Sequence, residues 1–152
     1  MSQLPPHSVQ SSWPWPDSLD GLRAAPAHHE LFFENERVRV IRTHIPAGET
    51  VPLHTHRWPG VAYLMSSSDF VRRDHEGKVL FDSRQASAAP SASAVQWLQP
   101  LPPHTVENVG TSAISILIVE LKDDARETFG ASTEMRPSGA KAHILCGSER
   151  HG

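Results

Sequence analysis

Between residues 28 and 122 apolar and polar side chains alternate in short runs, the period of two that marks half-buried β-strands. Glu30–Glu34, Arg37–Ile45, Val51–His56, Gly60–Ser66 and Asp69–Asp74 read as strands, followed by Val95–Leu98, His104–Val109 and Ala113–Leu121. Turn residues separate them. Asn35-Glu36 joins the first two, and Pro46-Ala47-Gly48-Glu49 combines a proline-fixed φ with a glycine free to take φ > 0. His75-Glu76-Gly77 closes a hairpin of Phe70–Arg73 with Val79–Asp82. Ala86–Ala94, rich in Ala and Ser around Pro90, reads as a surface loop. About nine short strands at regular spacing predict a sandwich or small barrel. In the last run both faces are apolar, Ile114, Ile116 and Ile118 on one and Leu117, Val119 and Leu121 on the other. Such a strand belongs between two layers or at a subunit interface.

Thirteen prolines and nine glycines leave little room for helix. The exception is Leu19–Ala25, capped by Asp17-Ser18 and stopped by Pro26. Ser12-Trp13-Pro14-Trp15-Pro16 suits neither sheet nor helix. Its tryptophans need apolar cover, so an arm lying on the body or on a partner subunit is expected. After Lys122 the periodicity dies, and Asp123–Gly152 reads as a partly disordered tail. The chain thus divides into an N-terminal arm with a short helix (residues 1–27), a β-barrel (28–122) and a C-terminal tail (123–152).

A chain of 152 residues is one domain, large enough for a core without disulfides. Lys plus Arg is 14 and Asp plus Glu is 17, a formal charge of −3 that argues against nucleic acid and anionic lipid as partners. Cys146 is the only cysteine, which excludes an intrachain disulfide, a Cys-rich zinc module and a CxxC redox centre. No apolar run approaches the ~20 residues that span a bilayer. Met-Ser-Gln-Leu-Pro-Pro-His at the start lacks the pattern of a secretory signal, so a soluble cytoplasmic protein is expected. Ten histidines beside one cysteine make histidine placement the place to seek chemistry.

His54-Thr55-His56 puts two imidazoles at i and i+2, on one face of a strand and about 7 Å apart along the backbone. His104 shares a strand face with Val106 and Asn108, just after the rigid segment Pro100-Leu101-Pro102-Pro103. Three imidazoles at metal distances of about 2.0–2.1 Å can hold a divalent transition metal and leave positions open. The remaining histidines read otherwise. His28-His29, His7 and His75 fall in loops or the arm and are expected in solvent, while His143, Cys146 and His151 lie in the tail. Arg72-Arg73-Asp74 with Asp69 reads as an exposed charged rim.

Gly48, five residues, His54, one residue, His56 resembles the first motif of the cupin superfamily. Pro100 through His104, three residues, Asn108 resembles the second. The resemblance covers roughly His28 to Lys122 and is nearest to small single-domain cupins, some of them named β-alanine degradation proteins. It implies an all-β double-stranded β-helix (jelly-roll) barrel, with His54, His56 and His104 as metal ligands and Asn108 as a structural support. The fold leaves function open, because cupins include dioxygenases, epimerases, isomerases, decarboxylases and binders.

One position departs from the family pattern. Four residues after the second histidine the motif usually carries a glutamate ligand, and here Gly60 stands there, leaving room where a side chain would have been. Glu107 has the wrong strand parity to replace it; Glu120 is the other carboxylate considered. Without a carboxylate the ion keeps its full +2 charge, which favours a small anionic ligand. Since some cupin oxygenases hold iron with three histidines, the resemblance favours an Fe(II) oxygenase, with Zn, Ni, Mn or Cu as alternatives. The competing reading is a non-catalytic small-molecule binder, with or without a metal anchor. Arg57, Gly60, Tyr63 and Trp97 are the candidate substrate contacts. The doubly apolar final strand and the tryptophan arm together suggest a homodimer.

Overall fold

A computed structural model describes residues 13–88 and 92–122. The tail assigned to 123–152, with His143, Cys146 and His151, lies outside the described residues, as do His7 and Pro90. Nine strands form: β1 (His29–Glu34), β2 (Val38–Ile45), β3 (Thr50–His56), β4 (Gly60–Ser66), β5 (Phe70–Asp74), β6 (Val79–Asp82), β7 (Val95–Leu98), β8 (Leu101–Asn108) and β9 (Ile114–Leu121). They make two antiparallel sheets, one ordered β1-β2-β9-β4-β7 and the other β3-β8-β5-β6. This is the double-stranded β-helix that the cupin resemblance implies, and it agrees with the sandwich or small barrel predicted from the strand pattern. Gly48 and Gly77 take φ of +80° and +86°, the left-handed turns for which their positions were read.

β9 occupies the centre of its sheet, paired with β2 from Val38↔Leu121 to Ile45↔Ile114 and with β4 on its other edge. Its inward face carries Ile114, Ile118 and Glu120, all buried. Ile45, Val51, Leu64, Ile114 and Ala25 form one apolar cluster between the sheets, and Ile41, Ala62 and Ile118 form a second. The outward face of the same sheet shows Val61, Tyr63, Met65, Val95, Trp97 and Leu121 at 37–66 % exposure. One apolar face of β9 therefore fills the core, and the other lies on the outside of the sheet.

The predicted helix Leu19–Ala25 is broken. Asp17–Leu19 is a 3₁₀ turn and only Gly21–Ala24 is α-helical (α1). Asp20 sits between them at φ −53°, ψ 137°, bridging in parallel to Thr55 of β3. Its carboxylate accepts from the Leu22 N–H at 3.1 Å and from Arg39, so Asp20 rather than Asp17 or Ser18 is the cap. A tertiary contact has overruled the local signal. Likewise β8 begins at Leu101, taking in Pro102 and Pro103. The β3–β8 register slips on both sides of the His54↔His104 pair, next to residues without an N–H to give the ladder.

The room expected at Gly60 is also absent. A Cβ built there would run into the Val119 carbonyl oxygen and stand 2.9 Å from the carbonyl carbon. Glycine is needed because β4 and β9 approach closely at Gly60↔Glu120, so no carboxylate can enter at position 60 without moving the backbone. Among the described residues no helix is long and apolar enough to cross a membrane.

Candidate metal centre

Four buried imidazoles meet between the sheets. His54 and His56 come from β3, His104 faces His54 from the paired strand β8, and His29 arrives from the start of β1, in the opposite sheet. The ring centroids of His54 and His104 are 4.3 Å apart, those of His29 and His54 4.7 Å, and those of His54 and His56 5.1 Å. One nitrogen each from His29, His54 and His56 lies within 4.8 Å of the others. Two donors on opposite sides of one ion stand ~4.2 Å apart, so small ring rotations would close this set on a metal. His104 packs against the cluster, 6.0 Å from His56. The structure thus gathers the three expected histidines and adds His29, which the sequence reading had placed in solvent.

His29 is buried because its position on β1 pairs with Thr43, an inward residue of β2. The C-terminal end of α1 fixes its ring: Nδ1–H donates to the Ala25 carbonyl at 3.0 Å, and a Cβ on Gly21 would stand only 3.2–3.4 Å from three ring atoms. The other rings are held in the same way. His54 Nδ1–H donates to the Pro52 carbonyl at 2.8 Å, His104 Nδ1–H to Pro102 at 2.7 Å, and His56 Nδ1–H to Glu120 Oε1 at 2.9 Å. A carbonyl or carboxylate oxygen can only accept, so each Nδ1 carries the proton. In the neutral ring Nε2 then presents a lone pair, the tautomer a metal requires. His29 Nε2 is buried with no hydrogen-bond partner. The donor set fits a divalent transition metal.

Protonation follows the same logic. Burial first, then the neighbouring His56, pushes the His29 imidazole down to about 4. Burial and His56 take His104 down to about 3, and burial with His104 and His56 pushes His54 lower still. Charged imidazoles cannot share so dry and crowded a space. His29, His54 and His104 therefore stand neutral and ready for a cation.

Glu120 is fully buried and belongs to the support rather than to the donors. Oε1 holds His56, while Oε2 accepts from Arg39 Nε at 2.6 Å, and Arg39 in turn grips Asp20 at 2.7 and 3.1 Å. Burial opposes the Arg39 charge, but hydrogen bonds to Asp20 and Glu120 outweigh it and hold the guanidinium more firmly protonated than usual. Trp58 covers it, with the guanidinium carbon 4.8 Å from the ring centroid. Asn108, at 0 % exposure, donates to the carbonyls of Ile45 and Ser112 and ties β8 to the end of β2.

His54, His56 and His104 open onto a cavity of about 100 Å³ between the sheets. Its wall is largely aliphatic, with Thr43, Gln96, Arg72, Ser67 and Ser68 as polar members. None of the four residues read as substrate contacts lines it. Arg57 turns toward Asp17 at 3.8 Å, Tyr63 and Trp97 point out of the sheet at 39 % and 52 % exposure, and Gly60 is closed in by Val119. Strand parity explains the shift, since inward Gln96 is the neighbour of outward Trp97. Arg72 was expected on an exposed rim; it shares its inward parity on β5 with Phe70 and lines the cavity, whereas Arg73 pairs outside with Glu107 at 2.7 Å.

No family model matches the sequence, and no curated protein matches it. Solved structures do match. A cupin domain from Bordetella pertussis Tohama I superposes with a TM-score of 0.51 at 20 % identity, over 62 % of this chain and 91 % of that one. An RmlC-like cupin family protein with a double-stranded β-helix fold from Methanocaldococcus jannaschii gives 0.47 at 10 % identity, over 66 % and 84 %. The fold is that of a small single-domain cupin, and its buried histidine cluster could bind a divalent metal. Neither neighbour's name speaks to β-alanine degradation, which stays an expectation of the sequence.

Two predictions follow from this geometry. Glu120→Gln should weaken metal binding by about 10–100-fold, the usual effect of losing a group that orients a ligand histidine, and lower the melting temperature because buried Arg39 loses one of its two counter-charges. Metal titration with a competing chelator and a thermal melt measure the two effects. The second concerns acid. The unfolded chain takes up histidine protons near pH 6.5 and the folded one only near 4 and 3, so the unfolded state binds more protons across that window. Stability of the metal-free protein should be full above about pH 6.5 and fall as pH drops toward 3. Urea midpoints at pH 7, 5.5 and 4.5 should descend in that order.

Proposed function

We propose that this protein is a metal-dependent oxygenase that binds Fe(II) through its histidine cluster and acts on a small organic anion. The observation that carries the reading is the set of four buried, pre-oriented imidazoles, of which His54, His56 and His104 open onto a largely apolar cavity with no carboxylate donor. An ion held by imidazoles alone keeps its +2 charge, which draws an anion into that cavity. A bound ferrous ion would supply the redox chemistry that no side chain here has. Both atoms of O₂ would enter the organic substrate, so no separate reductant is required. The chain's own residues do the rest. The four Nδ1 hydrogen bonds hold the rings, the aliphatic wall excludes water, and the depressed histidine pKa values keep protons from competing with the metal. Zn, Ni, Mn or Cu suit the same donors and are alternative occupants.

A second reading is favoured by the number of imidazoles. Four donors could enclose an ion completely, leaving a binder of small molecules without turnover. Anaerobic Fe(II) loading of untagged protein, followed by metal analysis and oxygen uptake with a panel of small acids, thiols and diketones, separates the two. About one iron per chain with substrate-dependent oxygen uptake is expected. Ligand-induced stabilisation with no uptake would select the binder, and metal well below one equivalent would discard the site.

We also propose that a second copy of the chain covers the outer face of the five-stranded sheet. Val95 and Trp97 are 66 % and 52 % exposed in a patch that continues through Val61, Tyr63, Met65 and Leu121. A patch of this kind marks an interface, and sheet faces pack readily about a twofold axis. A charge of only −3 opposes self-association little. Light scattering at micromolar concentration should give a dimer and Trp97→Glu a monomer; a monomeric wild type would mean that another segment covers the face.

A further inference from the structure

Among the described residues, Arg72 is a half-buried charge with no ion-pair partner. It stands on β5 opposite Val106 of β8, so His104, two residues along β8, is its diagonal neighbour at ~7–8 Å. Both side chains line the same cavity. Its Nε is buried without a hydrogen-bond partner. Other arginines have partners: Arg39 holds Glu120 and Asp20, Arg73 holds Glu107, and Arg84 holds Asp82. Burial alone acts on Arg72, lowering its pKa, and no carboxylate offsets it. Arg72 is half-buried, and a guanidinium edge shut off from water without a partner is costly to a fold, so it points to a counter-ion that arrives from outside.

We propose that Arg72 is the anchor for the carboxylate of a small acid with a short apolar body, held so that the carbon next to the carboxylate faces the histidines. This rests on the reading of the cavity as a ligand site. Guanidinium and carboxylate match as a two-pronged pair, and burial strengthens that pairing. The aliphatic wall of Ile45, Leu64, Ile114 and Ile118 takes the body of the acid. Thr43 Oγ1, also buried without a partner, offers one further polar contact. A cavity of about 100 Å³ limits the ligand to a few heavy atoms beyond its carboxylate, since roughly 10–15 Å³ of such space holds one water.

Calorimetric titration of the metal-loaded and the metal-stripped protein with 3-methylbutanoate and with its uncharged amide tests this. The acid should bind at least tenfold tighter than the amide in both forms. Arg72→Met should abolish that preference, keep the metal stoichiometry and melt no lower than wild type, because the residue removed is an unpaired charge. Equal binding of acid and amide, no binding of the acid, or a preference that survives Arg72→Met overturns the proposal. A variant that melts well below wild type or fails to fold marks Arg72 as structural and overturns it too. A preference lost from wild type on stripping the metal places the carboxylate on the ion; Arg72 is then not its anchor, and the metal reading stands. A protein that takes up no metal yet keeps an Arg72-dependent preference removes the metal reading and leaves this one.

Discussion

The structure depends on a buried ionic chain: Glu120 held between His56 and Arg39, with Asp20 closing the far end. A carboxylate at 0 % exposure survives only because both oxygens are engaged, one by an imidazole N–H and one by a guanidinium. Through it the central strand β9 grips β3 in the opposite sheet, and Arg39 binds β2 to the N-terminal segment. The same chain explains the broken helix. Asp20 is drawn into an extended conformation that serves Arg39 and Thr55, at the expense of the helical turn its neighbours favour.

That network changes the meaning of the missing glutamate. In this chain the carboxylate lies one strand over, behind His56 rather than beside it. Gly60 and Glu120 face each other across the β4–β9 ladder, and the strands approach so closely that position 60 has no volume for a side chain. The glycine is thus a packing requirement of this version of the barrel. Glu120 acts on the histidine cluster indirectly, through the hydrogen bond it accepts from the His56 Nδ1–H.

The strands and most of their ends were legible because turns punctuate the sequence. Pro46-Ala47-Gly48 and His75-Glu76-Gly77 fix where their runs stop and a period of two does the rest, whereas Pro102 and Pro103 misled, because β8 runs through them. The motif histidines His54, His56 and His104 could be found because they lie within strands whose parity is readable. His29 could not, since it begins the run taken as Glu30–Glu34 and only its pairing with Thr43 turns it inward. Alternation gave no cue, since Leu31 and Phe33, which share its sequence parity, are exposed and are separated by a bulge. Arg72 escaped for a related reason. In Arg72-Arg73-Asp74 composition suggests solvent, while alternation sends one arginine inside and the other out, and only the neighbouring strands say which. Arg57, Tyr63 and Trp97 are the converse cases, plausible by proximity in sequence and turned away by one position.

His54 and His104 each take their Nδ1 bond from the proline two residues earlier, Pro52 and Pro102. The clamp and the ring it steadies therefore belong to a single tripeptide, Pro-Leu-His in one strand and Pro-Pro-His in the other. Their aim is written locally and does not wait on the ion, so an incoming cation would meet rings already pointed and would bind with little rearrangement on those two strands. His56 leans instead on Glu120, 64 positions away in the chain, and it is there that loosening of the fold would first be felt by whatever the barrel holds.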